Sequence, residues 1–301
     1  MRQQFAKSSI DLAEADNGMM MLIGDISHHL LCDFESKFPS RFLNAGICEQ
    51  ALIGMAAGMA IGGMRPIVHT IAPFCVERAY EQIKIDLCYQ NVDVTIISVG
   101  SSFDYASLGC THHCYEDVAI LRALPQMQVF VPGSSKEFDN LLKKTWGNGS
   151  PKYFKLSTRE HNHESQCDPF QARLIQSAGS SKALVVVSGH LLQDVVGLDD
   201  VDIVYTSTLS SLDDESKTLI QDAANKSKRV VTIEENSTVG GLADLVNDII
   251  FEKENEGIKS FTRIGIPRKF LTNYGTAEQH RENLGLTREA ISSKIRAAYK
   301  E

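Results

Sequence analysis

Short β-branched apolar runs alternate along this chain with stretches long enough to form helices, and this alternation constrains the fold more than any other feature. The strand-like runs of the first half are residues 19–23, 66–70, 92–99 and 128–131, and the predicted helices are residues 49–62, 79–90 and 135–146. Strands separated by helices predict β-α-β units, because each crossover returns the chain to the same end of the sheet. The first half is therefore predicted to form a mostly parallel sheet.

A second series of the same kind follows a polar stretch at residues 157–181, which we expect to be a linker. Its strand-like runs are residues 183–187, 203–205 and 229–233, and its predicted helices are residues 213–227 and 242–252. A length of 301 residues fits two domains of about 150 residues each. The sequence predicts an α/β protein of two domains, residues 1–165 and 166–301, each a mostly parallel sheet flanked by helices.

The charge balance and the apolar pattern argue against several kinds of partner. Lys and Arg number 30 and Asp and Glu number 38, so the formal net charge is −8, whereas a general nucleic-acid binder carries a basic face. No apolar run approaches the roughly 18 residues that span a bilayer, and we expect no signal peptide. The seven cysteines are an odd number in a chain of this size. We therefore expect a cytoplasmic protein with no disulfide framework, no nucleic-acid partner and no membrane attachment.

One carboxylate stands at the head of an otherwise apolar helix. Residues 41–50 lead into the small-residue segment 51–62, and Glu49 falls in the first turn of the predicted helix. The helix dipole stabilises an anion at this place, so one interpretation is that Glu49 is a structural cap. The other is that it is a functional carboxyl group.

Four segments in series resemble those of the transketolase family. Residues 41–50 resemble its cofactor-activating motif, and residues 70–82 resemble the aromatic segment of its pyrimidine-binding domain. Residues 109–127 look like its Gly-x-Thr-His-Gln element with the following helix, and residues 233–241 resemble its C-terminal signature. The resemblance covers nearly the whole chain in order, and it implies a pyrimidine-binding domain followed by a transketolase C-terminal domain.

The resemblance implies a site for thiamine diphosphate. Glu49 would hydrogen-bond to the pyrimidine ring and help the cofactor to lose its thiazolium proton, while the cofactor carries out the carbon chemistry. Phe74 would stack on the pyrimidine, although an ordinary core aromatic is the alternative interpretation. Ile26, Arg78 and Tyr80 would contact the same part of the cofactor.

The resemblance also implies substrate-binding residues. His112 would be the catalytic histidine that moves protons at the substrate oxygens. Asp25, His29 and Arg159 would bind the substrate with it, the arginine by holding a phosphate group. The alternatives are a helix cap for Asp25 and an ordinary solvated histidine for His29.

No residue of this chain is predicted to bind a metal. The run at residues 110–114 contains two cysteines and two histidines, but four ligands within five residues are too crowded to surround one tetrahedral ion. The Gly-Asp-Gly motif with which the family binds diphosphate and magnesium is absent, because the only Gly-Asp pair, Gly24-Asp25, is followed by Ile26.

The missing motif implies half of a split enzyme. A separate N-terminal diphosphate-binding transketolase subunit would hold the diphosphate and Mg²⁺, and a homodimer of this chain would form part of a heterotetramer. The resemblance also has departures: Leu108 stands where transketolases carry a sugar-binding aspartate, Gly100 where they often have a second substrate histidine, and His29 where they have a serine. A modified, deoxy or nucleotide-linked sugar is therefore our hypothesis for the substrate.

The sequence predicts a subunit of a thiamine-diphosphate-dependent transketolase. It would move a two-carbon ketol unit from a ketose donor to an aldose or aldehyde acceptor, and only together with the diphosphate-binding subunit. The alternatives are the beta subunit of a 2-oxo-acid dehydrogenase and a catalytically silent regulatory subunit. Residues 109–125 fit the transketolase branch better than the dehydrogenase, and the presence of Glu49 and His112 favours an active enzyme.

Overall fold

Two sheets organise the chain, as seen in a computed structural model that describes residues 1–163, 168–252 and 257–299. The strands of the first sheet lie within residues 19–155, and those of the second lie within residues 172–266. Helices flank both sheets, which confirms the predicted α/β class. The expected division between residues 165 and 166 lies outside the described residues.

The first sheet has six strands in the order β2-β1-β3-β4-β6-β5, and every neighbouring pair is parallel. The strands are β1 (Met19–Ile23), β2 (Phe42–Asn44), β3 (Arg65–Ile71), β4 (Thr95–Val99), β5 (Gln128–Phe130) and β6 (Lys152–Lys155). The helices around it are α1 (Arg2–Ala15), α2 (His28–Lys37), α3 (Glu49–Ile61), α4 (Ala72–Val76), α5 (Tyr80–Gln82), α6 (Asp117–Arg122) and α7 (Ser135–Thr145). The carboxyl ends of all six strands therefore meet at one edge.

The second sheet has five strands in the order β11-β10-β8-β9-β7. The strands are β7 (Ala172–Gln176), β8 (Ala183–Ser188), β9 (Val201–Thr206), β10 (Arg229–Ser237) and β11 (Ser260–Ile266). The helices are α8 (Leu192–Val195), α9 (Asp214–Ser227), α10 (Leu242–Phe251), α11 (Ala277–Leu284) and α12 (Arg288–Ala298). All neighbours are parallel except β7, which runs antiparallel to β9 at the sheet's edge.

Two predicted segments differ from the structure. The stretch at residues 157–181 was expected to be a linker, but it contains β7, whose polar sequence suits an edge strand that is buried only at Ala172. The single helix expected over residues 79–90 is instead the short α5 followed by a π-helical segment, Ile83–Tyr89. Single-sequence periodicity does not separate an α-helical from a π-helical winding, because both place apolar residues on one face.

The strands are apolar on both faces because both faces of each sheet are covered. Met21 and Ile23 of β1 belong to one core cluster with Phe5 of α1, whereas Leu22 belongs to another with Leu52 of α3. The second of these clusters continues into the other sheet through β8, β9, α9 and α10, so the two halves share buried apolar contacts.

The helix α3 is apolar all round, yet it is not fully covered. Its mean hydropathy is high, and Met55 and Ile61 are exposed, as is Ile47 just before the helix. A helix of this kind is usually buried, so this face has the character of an interface. Among the helices of the described residues, none is long and apolar enough to cross a membrane.

Candidate active site

The carboxyl edge of the first sheet gathers most of the residues that the sequence singled out. Asp25 and Ile26 follow β1, Glu49 follows β2 by a short loop, Phe74 lies in α4 directly after β3, and His112 lies in the long loop after β4. These segments are distant in sequence, but parallel strands bring their carboxyl ends together. Ligand sites of open α/β sheets occur at this edge.

Glu49 forms the centre of this cluster. It is the first residue of α3, its side chain is only 1% exposed, and its Oε2 accepts a 2.7 Å hydrogen bond from Nη1 of Arg78. The guanidinium carbon of Arg78 lies 4.4 Å from the centre of the Phe74 ring, over its face. The pKa of the neighbouring Cys75 thiol is raised by burial and by the nearby Glu49 carboxylate. A buried carboxylate, an aromatic face and a planar cation thus meet at one point.

His112 lies on the opposite side of Phe74. Its ring meets the Phe74 ring edge-on at a centroid distance of 5.2 Å, and its Nδ1 is 2.9 Å from Oγ1 of Thr111. The loop reaches this position through Gly109, which has a φ of +74° and whose Cα is so close to Tyr274 that a Cβ would lie 2.7 Å from that ring. Only glycine fits this turn without strain. Glu49, Arg78, Phe74 and His112 therefore form one continuous series of contacts.

The turn after β1 is strained at two residues. Asp25 and Ser27 both have left-handed backbone conformations, with φ of +55° and +59°. Asn44 holds the turn: its Nδ2 donates to Asp25 Oδ1 at 3.1 Å, and its Oδ1 accepts from the Asp25 backbone N–H. Ile26 is partly buried between them, and His29 is exposed in the first turn of α2. Non-glycine residues in this conformation cluster at functional sites, since the surrounding structure must hold them there.

Tyr80 and Arg159 have partners elsewhere. The Tyr80 hydroxyl donates to the Ile120 carbonyl at 3.0 Å, and its ring lines a surface groove of about 700 Å³ beside α6. Arg159 lies 3.5 Å from the Asp194 carboxylate of the second half. Neither side chain is joined to the Glu49 series by a contact among the described residues, so their proposed roles stay predictions.

Two residues of this edge were missed by the sequence analysis. Arg2 in α1 donates 2.9 Å from Nη2 to the hydroxyl of Tyr105, and it has no carboxylate partner in the described part of the chain. Tyr105 in turn meets His112 edge-on at 6.1 Å, and its ring fills the space beside Gly100, where a Cβ would lie 2.8 Å from it. No local pattern marks Arg2, because its neighbours in space are a hundred residues away in sequence.

The corresponding edge of the second sheet is also rich in charges, but they are paired. Arg281 of α11 binds the Glu235 carboxylate through Nε at 2.5 Å and Nη2 at 3.1 Å, and His190 Nε2 lies 3.2 Å from it. Burial alone would raise the pKa of Glu235, but His190 and Arg281 lower it well below its usual range. Glu234 accepts from the first backbone N–H groups of α10, at Leu242 and Ala243, and burial raises its pKa to about 7.

A buried lysine joins the two edges. Nζ of Lys155, at the end of β6, donates to Asp117 at 2.7 Å, to Asn236 of β10 at 2.8 Å and to the carbonyl of Cys114 at 3.0 Å. It therefore ties the loop that carries His112 to the second sheet. Beside it, burial together with Glu116 and Asp117 raises the pKa of Glu77 to about 7.

The site offers ligands for an organic group rather than for a metal. Within residues 1–163, 168–252 and 257–299, no cluster of three or more His, Cys, Asp or Glu side chains is arranged to hold a metal ion. The cysteines of these ranges are free thiols, and Cys167 lies outside them. The buried Glu49 carboxylate beside the Phe74 ring fits a flat heterocycle that donates hydrogen bonds from its edge.

Comparison with known proteins identifies the family. Residues 1–162 match the family model described as transketolase, pyrimidine binding domain. One of the two subunits of the apulose-4-phosphate transketolase of Actinobacillus succinogenes is 30% identical over 234 residues, which are 74% of either chain. The 1-deoxy-D-xylulose-5-phosphate synthase of Syntrophomonas wolfei is 28% identical over 99% of this chain, but the match covers only 47% of that enzyme.

A solved structure agrees with the sequence matches. A split-gene transketolase, described as an inactive beta4 tetramer, superposes with a TM-score of 0.85 at 25% identity over 99% of this chain and 97% of that one. The sequence-based resemblance is thereby confirmed, including the subunit-sized length. The chain belongs to the transketolase family, as a C-terminal subunit of the split type.

Proposed function

We propose that this chain is the pyrimidine-binding subunit of a two-chain, thiamine-diphosphate-dependent transketolase. The enzyme would move a two-carbon ketol unit from a ketose donor to an aldose or aldehyde acceptor. One observation carries the proposal: a carboxylate that is almost fully buried at a helix start lies in contact series with an aromatic face and a partly exposed histidine. This arrangement suits a cofactor held at one end by Glu49 and facing His112 at the other.

Glu49 and Phe74 would bind the pyrimidine, with Ile26 beside them and with Arg78 and Tyr80 as the further residues that the resemblance implies. When bound, thiamine diphosphate supplies a carbon nucleophile that attacks the ketose carbonyl. Glu49 would share a proton with a pyrimidine ring nitrogen through Oε2, the oxygen that now accepts from Arg78. Burial of this oxygen keeps water away from the shared proton.

His112 would serve the substrate oxygens. Its Nδ1 is engaged by Thr111, which leaves Nε2 to exchange a proton with a hydroxyl group of the sugar. Asp25 and His29, at the neighbouring turn, would bind other hydroxyl groups of the same sugar.

An anionic group of the substrate would bind Arg2. Arg2 is without a carboxylate partner among the described residues and lies next to Tyr105, on the His112 side of the site. Arg159, which the sequence favoured for this role, is already paired with Asp194 and would have to leave it. An unpaired cation binds an anion with less loss of existing contacts.

The rest of the site would come from a partner. The described residues offer no metal cluster, and the chain lacks the diphosphate-binding motif, so Mg²⁺ and the diphosphate would be held by an N-terminal diphosphate-binding subunit. The exposed apolar face of α3 lies directly after Glu49 and would be covered in a heterotetramer that contains a homodimer of this chain. The relative from Actinobacillus succinogenes, which is one subunit of its enzyme, and the beta4 tetramer both support assembly, with residues 1–165 and 166–301 as the two domains of each copy.

Calorimetric titration of thiamine diphosphate with Mg²⁺ tests this proposal. It should be run on the chain alone and on its mixture with the diphosphate-binding subunit encoded in its genomic neighbourhood. Tight binding in the mixture only, followed by two-carbon transfer between sugars, is the expected result. Tight binding by the chain alone would contradict the partner-held diphosphate site. Binding without transfer of a ketol unit, or no binding at all, would favour a catalytically silent subunit.

A further inference from the structure

Arg78 occupies the space beside Glu49 as a flat cation. Its Nη1 donates 2.7 Å to Glu49 Oε2, while its guanidinium carbon lies 4.4 Å above the Phe74 ring. A guanidinium group carries N–H donors on both sides of one carbon, and an aminopyrimidine presents the same N–C–N pattern at its edge. Both groups also stack on an aromatic face. They would therefore compete for the same carboxylate and the same ring.

We propose that Arg78 is a built-in surrogate for the pyrimidine, which holds the site in the free chain and must be displaced before the cofactor reaches Glu49. This inference rests on the proposed function, and it reverses the role that the resemblance implied for Arg78, which was direct binding of the cofactor. Arg78 thus becomes a gate on cofactor binding.

The difference in exposure between the two side chains fits such an exchange. The Glu49 side chain is 1% exposed and cannot turn to water, whereas the Arg78 side chain is 41% exposed and has a route out. A buried carboxylate without a partner is costly, so Glu49 needs either Arg78 or a ligand at all times. The surrogate keeps the empty site folded, and a ligand that donates to Glu49 removes the need for it.

A released Arg78 would find other carboxylates nearby. Glu77 precedes it, and Glu116 and Asp117 lie close enough to Glu77 to raise its pKa to about 7 together with burial. A cation that moves toward this group would relieve the repulsion among its acids. The gate therefore has a place to go when it opens.

Cofactor affinity of the reconstituted pair, measured by calorimetry with thiamine diphosphate and Mg²⁺, tests the gate. Arg78→Met keeps an unbranched apolar stem but removes the guanidinium. Since a state that blocks the site most of the time weakens apparent affinity by its population, we expect Arg78→Met to bind about tenfold more tightly than the unmodified pair. Unchanged or weaker binding by Arg78→Met would overturn the inference, because a direct cofactor ligand or a purely structural pair gives those results.

Two further variants complete the design. Arg78→Lys keeps the charge but not the flat donor pair, so it should bind the cofactor more tightly than the unmodified chain by a smaller factor, and it answers the question if Arg78→Met does not fold. Arg41→Met is the matched control: Arg41 also stacks on an aromatic ring, Phe38, at 4.2 Å, but far from the site, and its removal should leave the affinity unchanged.

The inference and the proposed function fail in different ways. Failure of the unmodified pair to bind thiamine diphosphate would overturn both. Normal binding by that pair, weakened in Glu49→Gln but not tightened in either Arg78 variant, would overturn the gate alone.

Discussion

The two sheets present the same kind of edge and use it differently. At the second sheet, Glu235 is bound by Arg281 and lies next to His190, and all three side chains are buried. At the first sheet, Glu49 is equally buried, but it is paired with a cation that is 41% exposed. Charges that satisfy one another inside the protein stabilise a junction. A buried charge whose partner reaches solvent can exchange that partner for a ligand.

This contrast assigns different work to the two edges. The second edge holds β10 and α11 together and reaches across to the His112 loop, since Ser102 donates to the Glu235 carbonyl and Lys155 donates to Asn236. The first edge carries the strained turn, the histidine and an arginine without a carboxylate partner among the described residues. Loss of a charge should therefore affect activity at the first edge and stability at the second.

The largest effect should come from Glu49→Gln. The amide keeps the shape and accepts from Arg78, but it cannot exchange a proton, so turnover by the reconstituted pair should fall by about 10²- to 10⁴-fold. Glu234→Gln is the control at the second edge, because an amide oxygen still accepts from the start of α10. Steady-state ketol-transfer assays measure both variants. Equal losses in the two would break the assignment of chemistry to the first edge.

Arg281→Met should produce the largest loss of stability. It leaves Glu235 buried with His190 alone, and removing one partner of a buried ion pair costs about 3–5 kcal/mol. The control is Arg263→Met, whose 2.7 Å pair with Asp244 is partly exposed and should contribute at most about 1 kcal/mol. Urea denaturation gives the two free energies of unfolding. Similar losses from both variants would show that the second edge is not a stabilising junction.

Acid should weaken the first edge before the second. Burial, and to a smaller extent Arg2, lowers the pKa of His69 from 6.5 to about 4, so between these values the unfolded chain binds the extra proton and the folded chain does not. The free energy of unfolding should therefore fall as the pH falls through this window, by about 3 kcal/mol from His69. Glu235 has a lowered pKa, so its contribution is lost only below 4.5.

The same urea denaturation, repeated across pH, checks this order. His69→Asn can still donate to the Ile97 carbonyl but cannot titrate, and it should flatten the dependence between pH 6.5 and 4. An unchanged slope in this variant would mean that His69 is not the group responsible.

The smallest effect should come from Arg2→Met. Loss of one charge-assisted hydrogen bond to the substrate anion should raise KM for a phosphorylated sugar about tenfold and leave kcat nearly unchanged. Arg159→Met is the comparison, and it should change KM less because Arg159 is already paired. A larger increase in KM for Arg159→Met would return the phosphate site to the residue that the sequence favoured.

The sequence predicted the parts of the fold that depend on short windows. The runs at residues 183–187 and 229–233 became β8 and the first part of β10, and the predicted helix at residues 135–146 became α7, which Ser134 caps by accepting from Glu137 N–H. It did not predict α1, which its mixed composition conceals, or the edge strand β7, which has too few apolar residues. Buried strands and amphipathic helices are visible in sequence, since burial repeats with their period.

The sequence by itself determined the fold class, the family and the presence of Glu49, Phe74 and His112, because each depends on residue type and local order along the chain. Only the tertiary structure decided which charges are already paired. It set Arg78 on Glu49, Asp194 on Arg159 and Tyr105 on Arg2, pairs that are 29, 35 and 103 residues apart. Coulomb energy and burial act through distance in space, and that distance is fixed only when the strands pair and the loops at their carboxyl ends meet.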